Sequence, residues 1–150
     1  MVLRKALLKD AEAIFEITNY YAGKGLMLMR SRYQIYEAIR DFTVAEDEGK
    51  VIGFGALHIL GEDLAEVRTT AIDPEYVRKG VGQKIVDSLL EEGRQIGVSK
   101  AFTLTYQPEF FGMCGFVEED KNNMPRKIWT DCVNCPKFPN CDEICMSRPI

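Results

Sequence analysis

Histidine is all but missing from this chain of 150 residues: there is one, His58. A single imidazole cannot assemble a histidine-based metal centre. Positive charge is not in excess either. Nineteen Lys and Arg face 23 Asp and Glu, for a net charge of −4, which argues against nonspecific nucleic-acid binding. No apolar run is long enough to span a bilayer, so no membrane partner is expected. The opening "MVLRKALLKDAEAIF" has a short apolar patch, then turns acidic and amphipathic without a signal-peptide cleavage pattern. It reads as mature structure in a cytoplasmic protein. Internal repeats and low-complexity segments are absent. What remains, 46% hydrophobic and 28% charged residues, describes a soluble domain with a real core.

Apolar periodicity lays out the elements. Val2–Leu7 reads as a first strand. Asp10 is placed to cap a helix from Ala11 to Tyr21, and Ser31 a second from Arg32 to Arg40. Two β-rich runs flank "EDEGK", a hairpin signal, and "LAEVRTTAI" is a further strand stopped at Asp73-Pro74. After Gly82 comes a helix with Ile85, Val86, Leu89 and Leu90 at core spacing. "AFTLT" is a strand, "PEFFGMCG" a short helix or turn, and "GFVEED" a last strand. This order predicts an α/β sandwich on a mixed sheet. Residues 1–120 form the domain. Residues 121–150, rich in Asn, Pro and Cys, read as a Cys-rich C-terminal extension packed on it, too short for a core of its own.

The stretch "DPEYVRKGVGQKIVDSLLEEG" puts Gly80 and Gly82 beside Arg78 and Lys79 at a helix start. Such a start offers unpaired N–H groups and partial positive charge, so the composition points to an anion. A P-loop would need Gly-Lys-Ser/Thr where Gly82-Gln83-Lys84 stands, and a dinucleotide fingerprint would need a small residue at Ile85. Neither fits.

The segment "TTAIDPEYVRKGVGQKIVDSLL" instead resembles the acetyl-coenzyme A site of the GNAT N-acetyltransferases, which carry a strand, a glycine turn and then a helix. Together with "LMLMRSRYQIYEAIRDFTVAEDEGKVIGFGAL", "LAEVRTTAIDPEY" and "FTLTYQPEFFGMCGF" it looks most like the acetyltransferase domain of N-acetylglutamate synthases, here as a short stand-alone form covering roughly residues 1–118. The resemblance implies a GNAT-like, mostly antiparallel sheet flanked by helices. It also implies acetyl-CoA as cosubstrate. Arg78, Lys79, Gly80, Val81, Gly82 and Gln83 would surround the pyrophosphate, and Thr70, Ala71 and Ile72 would line the pantetheine arm. The sequence departs from the family at two places. Val77 takes the usual Gln/Arg position, and Phe111 takes that of a tyrosine proton donor, leaving Tyr106 or a water as substitute.

An acceptor amine is mostly protonated at neutral pH and must lose a proton before attack. Glu66 is the first candidate base; pairing with Arg68 on the sheet surface is its alternative. Main-chain N–H groups at Ala71 or Ile72 suit the oxyanion. A glutamate acceptor carries two carboxylates, which guanidinium forks recognise best. Arg30 leads, with Arg68 and Thr105 beside it, while Arg32 reads as a solvated helix residue and Lys24 as a lesser option. Cys132, Cys135, Cys141 and Cys145 are spaced so that zinc or an iron–sulfur cluster could be held, against the plainer reading of free thiols packing the extension, and no metal is assigned. Cys114 reads as a small core residue. The expected activity is acetyl transfer to the α-amine of an amino acid, glutamate first, at the start of arginine synthesis. A different small or protein amine is the alternative, as is a non-catalytic acyl-CoA-binding or metal-binding module. The oligomeric state, a homodimer included, stays open.

Overall fold

A computed structural model describes residues 1–123 and 143–150. In chain order the elements are β1 (Val2–Lys5), α1 (Ala11–Ala22), α2 (Arg32–Glu37), β2 (Phe42–Asp47), β3 (Lys50–Ile59), β4 (Leu64–Ile72), α3 (Val81–Ile96), β5 (Lys100–Thr105), α4 (Pro108–Met113), β6 (Val117–Glu118) and β7 (Ile144–Pro149). Among the described residues the strands form one seven-stranded sheet in the order β1-β2-β3-β4-β5-β7-β6. Every neighbouring pair is antiparallel except β4 with β5. This is the mixed, mostly antiparallel sheet that the resemblance implies. No helix among the described residues is long and apolar enough to cross a membrane.

Each face of the sheet is covered by the helices that the apolar spacing predicts. α3 buries Ile85, Val86, Leu89 and Leu90 against Leu57, Ala65, Val67 and Ala101. At about 1.5–3 kcal/mol for each fully buried aliphatic side chain, this face anchors the domain. α1 and α2 cover the other face with Ile14 and Ile35 over Val44, Phe54, Ala56 and Ala71. The hairpin between β2 and β3 turns at Glu48 and Gly49, both at positive φ (49° and 79°), the twist that two-residue hairpin turns require.

Three local expectations change. Asp10 does not cap α1: it is buried, its carboxylate takes two bonds from the Arg4 guanidinium (2.7 and 3.0 Å) and accepts the Leu7 N–H at 2.7 Å. Ser31 does cap α2, accepting the Gln34 N–H while the Gln34 side chain accepts the Ser31 N–H. That helix stops at Glu37, however, and a 3₁₀ turn over Ile39–Asp41 leads into β2. Lastly, "GFVEED" supplies only the two-residue edge strand β6, and the final strand is β7.

β7 corrects the picture of the extension as an appendage, because Ile144–Pro149 pair with β5 on one side and β6 on the other. Cys145 therefore sits in the sheet, 2% exposed, packed with Leu60 and Phe102. Burial pushes its thiol up to about 11. Cys132, Cys135 and Cys141 lie outside the described residues. Among the described residues no cluster of His, Cys, Asp and Glu is arranged to hold a metal ion.

Candidate active site

Among the described residues β4 and β5 are the one parallel pair, and they stay together only briefly. Their register runs Leu64–Lys100, Ala65–Ala101 and Glu66–Phe102, and no further. Beyond that point β4 follows β3 through a bulge. Ala56 pairs with Arg68 and Phe54 with Ala71, so Thr69 and Thr70 together face Gly55. Thr69 takes φ of 50°, which for a β-branched residue marks a local constraint rather than a regular strand. The extra residue reverses which face each side chain takes. Ala65 and Val67 point to α3, yet after the bulge Ala71 points to α1 and α2. The bulge draws β4 away from β5, and a cleft of about 800 Å³ opens between them.

The turn into α3 closes one end of that cleft. Arg78 and Gly80 both lie at positive φ (65° and 78°), and Gly80 caps the helix in a left-handed conformation with no side chain bonded to the first turn. The first N–H groups of a 16-residue helix thus face outward with their partial positive charge. Gly82 is required for a different reason: a Cβ there would lie 3.0 Å from two ring carbons of Phe110, on α4. Backbone and aromatic wall meet at that point.

The cleft gathers most of the residues singled out from the sequence. Thr70, Ala71, Ile72, Arg78, Gly80, Gly82 and Gln83 line it, and so do Arg30, Glu66, Arg68 and Thr105. Two are absent from the lining. Val81 is a core residue, 5% exposed, because α3 must turn one side of its first turn inward. Lys79 stacks its ammonium over the Tyr76 ring at 5.4 Å instead, so Arg78 carries the basic charge in the lining there. The Thr105 hydroxyl accepts the Gln107 N–H at 2.7 Å and shapes the step into α4, which ties up one of its lone pairs. Arg32 pairs with Glu12 (2.9 and 2.8 Å) on the surface and lies over Phe15, and Lys24 lies over Tyr20.

Glu66 and Arg68 stand together in the cleft. Both line the cleft, and their charged atoms stand 4.0 Å apart, with Glu66 only 2% exposed. Phe111 is a core ring, packed edge-on against Phe110 and Phe116 at 5.0 and 5.3 Å. Tyr106, which follows β5, lines the cleft together with Phe111. Cys114 is 3% exposed and burial pushes its thiol up to about 11, so it is no nucleophile at neutral pH.

Sequence reading missed Tyr21, Thr103 and Glu143 as lining residues. Tyr21, in the last turn of α1, donates its hydroxyl to the Ile72 carbonyl at 2.6 Å, pinning that helix to the end of β4. Burial raises the phenol further above its ordinary range, so it stays a donor. Its place at the helix's last turn was visible in the periodicity, but its partner 51 residues away was not. Glu143 arrives from the far end of the chain, and no local signal announces it.

Comparison with known proteins places this architecture. Residues 6–120 match the family model described as the acetyltransferase (GNAT) family. A Chlorobaculum tepidum protein named as an uncharacterized N-acetyltransferase is 44% identical over 99% of this chain and 96% of its own length. A Mycobacterium tuberculosis amino-acid acetyltransferase is 38% identical over 99% of this chain and 80% of its own. The crystal structure of Rv2747 from M. tuberculosis in complex with CoA and NLQ superimposes with a TM-score of 0.87, at 34% identity, over 100% of this chain and 99% of that one. N-acetylglutamate synthase from Neisseria gonorrhoeae, complexed with coenzyme A and N-acetyl-glutamate, shares the fold at a TM-score of 0.88 and 24% identity, over 99% of this chain and 34% of that one. From its split sheet, its glycine turn and these matches, the chain is an acetyltransferase and belongs to the GNAT family.

Proposed function

We propose that the protein transfers the acetyl group of acetyl-CoA to the α-amine of an amino acid, with glutamate as the first acceptor. The observation that carries this reading is that Arg30, Arg68 and the buried Glu66 line the same cleft as the turn into α3. The similarity to a named amino-acid acetyltransferase over nearly the whole chain supports it. Such an enzyme would act in the cytoplasm, in the first step of arginine synthesis.

The residues suggest the following division of work. N–H groups of the first turn of α3, with Arg78, would take the pyrophosphate. The edge of β4 that β5 leaves unpaired would hold the extended pantetheine arm by main-chain bonds. Arg30 and Arg68 would clamp the acceptor's carboxylates, each a charge-assisted pair. Glu66 would take the ammonium proton, freeing the nitrogen to attack the thioester carbon. The amide N–H of Ala71 or Ile72 would donate to the oxyanion, and Tyr106 or a water would protonate the departing thiolate.

Thiol release from acetyl-CoA, measured with each amino acid in turn, tests the reading. Turnover is expected with glutamate above all others. Turnover with another amine would keep the coenzyme end and replace the acceptor, and none with any amine would remove the catalytic reading.

A further inference from the structure

One polar pair beside the cleft has no part in the scheme above. His58 Nδ1 lies 3.0 Å from the Asp41 carboxylate. A carboxylate can only accept, so the hydrogen sits on Nδ1 and the Nε2 lone pair is left for another proton. His58 is on β3, on the face that carries Phe54 and Ala56. Its direct partner across the β3–β4 ladder is Glu66. Side chains so opposed on one face start about 5 Å apart at Cβ, within reach of each other directly or through one water. Behind His58 lies a second cavity of about 470 Å³ that includes His58 and Asp41 and shares Arg30, Arg68 and Thr69 with the cleft. The two groups differ sharply in access to water: the side chain of His58 is 32% exposed and that of Glu66 is 3%.

We propose that His58, held by Asp41, carries the proton from Glu66 out to solvent in each turnover. This rests on Glu66 acting as the base. In the whole reaction an N–C bond forms, the C–S bond breaks, and an ammonium plus a thioester become an amide, a thiol and one proton. The amine's second proton goes to the thiolate. Its first, taken by Glu66, must leave before the next cycle, and Glu66 is buried. His58 Nε2 takes it, the imidazolium rests beside Asp41, and water in the second cavity receives it. The charged groups facing His58 are Asp41 before β2, Glu66 and Arg68 on β4, Glu37 on α2 and Arg30 before α2. Three carboxylates against two guanidinium groups do not oppose a passing positive charge.

His58→Ala and His58→Gln, compared with the intact protein by thiol release, test the relay. With His58→Ala we expect kcat to fall about tenfold or more while both KM values stay within about twofold. Added imidazole should restore kcat in that variant as its concentration rises and leave the unaltered enzyme unchanged. Asp41→Asn should lose less, and the double variant no more than His58→Ala alone. If His58→Ala does not fold, judged by circular dichroism, His58→Gln gives the same kinetic readout without rescue. A kcat within about twofold of the unaltered enzyme overturns the relay. So does a fall in His58→Ala that no buffer restores, or a loss confined to the acceptor KM. An intact protein that acetylates no amino acid would remove the base assignment and the relay together. Normal turnover with unaffected His58 variants would remove the relay alone.

Discussion

The two ends of the cleft are built from different materials. The end proposed for the coenzyme is largely backbone: a left-handed Gly80, a Gly82 pressed to Phe110, the open first turn of α3 and a strand edge freed by the bulge. The end proposed for the acceptor is side chains from distant places, with Arg30 before α2, Glu66 and Arg68 on β4, and Tyr106 after β5. Backbone chemistry is the same in every sequence, so the coenzyme end suits one invariant ligand. Side chains can change singly, so the acceptor end is where a shared fold acquires its substrate.

That contrast can be broken by changing one end at a time. The largest effect should come from Glu66→Gln, which keeps the shape and removes the base. We expect kcat to drop by roughly 10²–10⁴-fold with the acetyl-CoA KM unchanged, as read from steady-state thiol release. Arg30→Ala comes next. Loss of a carboxylate clamp should cost about 2–5 kcal/mol in acceptor affinity, raising the glutamate KM while CoA binding holds. If CoA binding falls as much, the two ends are not separable.

Asp10→Asn sharpens the comparison from outside the cleft, since it should alter stability and neither substrate. Bonding to Arg4 first, and the Leu7 N–H as well, holds the Asp10 carboxyl below its ordinary value of 3.8. A carboxyl depressed in the folded state stabilises fully above that ordinary value and loses its contribution as pH falls toward the folded one. The variant should lose about 1.5–3 kcal/mol at neutral pH, as charge-assisted bonds are worth. The gap in melting temperature between the variant and the unaltered protein should begin to narrow near pH 3.8 and go on narrowing as pH falls further, and a gap that stays constant on acidification would refute the assignment. The smallest effect is expected from Tyr21→Phe. Losing the bond to the Ile72 carbonyl should cost about 0.5–1.5 kcal/mol, seen by denaturant titration.

The same contrast explains what could be read before the structure. The hairpin, α3 and the glycine turn are local devices, and each leaves its pattern in consecutive residues: Glu48-Gly49, the Ile85–Leu90 spacing, Gly80 with Gly82. Arg30 and Glu66 came from likeness to a family rather than from spacing. Contacts that join far parts of the chain left no such trace. Asp10 has the composition of a cap, but Arg4 claims it from the neighbouring strand. β7 hides in a tail whose Cys and Pro content suggested an appendage, and "ICMSRP" has no strand-like alternation to announce its place between β5 and β6. The bulge at Thr69 cannot be foreseen from "VRTTAI", because it exists only in the pairing with β3.

The claim on which the rest depends is that the α3 turn and the split between β4 and β5 hold coenzyme A. Calorimetric titration of CoA into the protein, beside Gly82→Val, tests it most directly. A valine there collides with the Phe110 ring and should weaken binding by about 1–3 kcal/mol in a variant that still folds. Saturable heat at one CoA per chain, clearly weakened in the variant, is the predicted result. No heat from the folded, unaltered protein, or equal affinity in both, would contradict it.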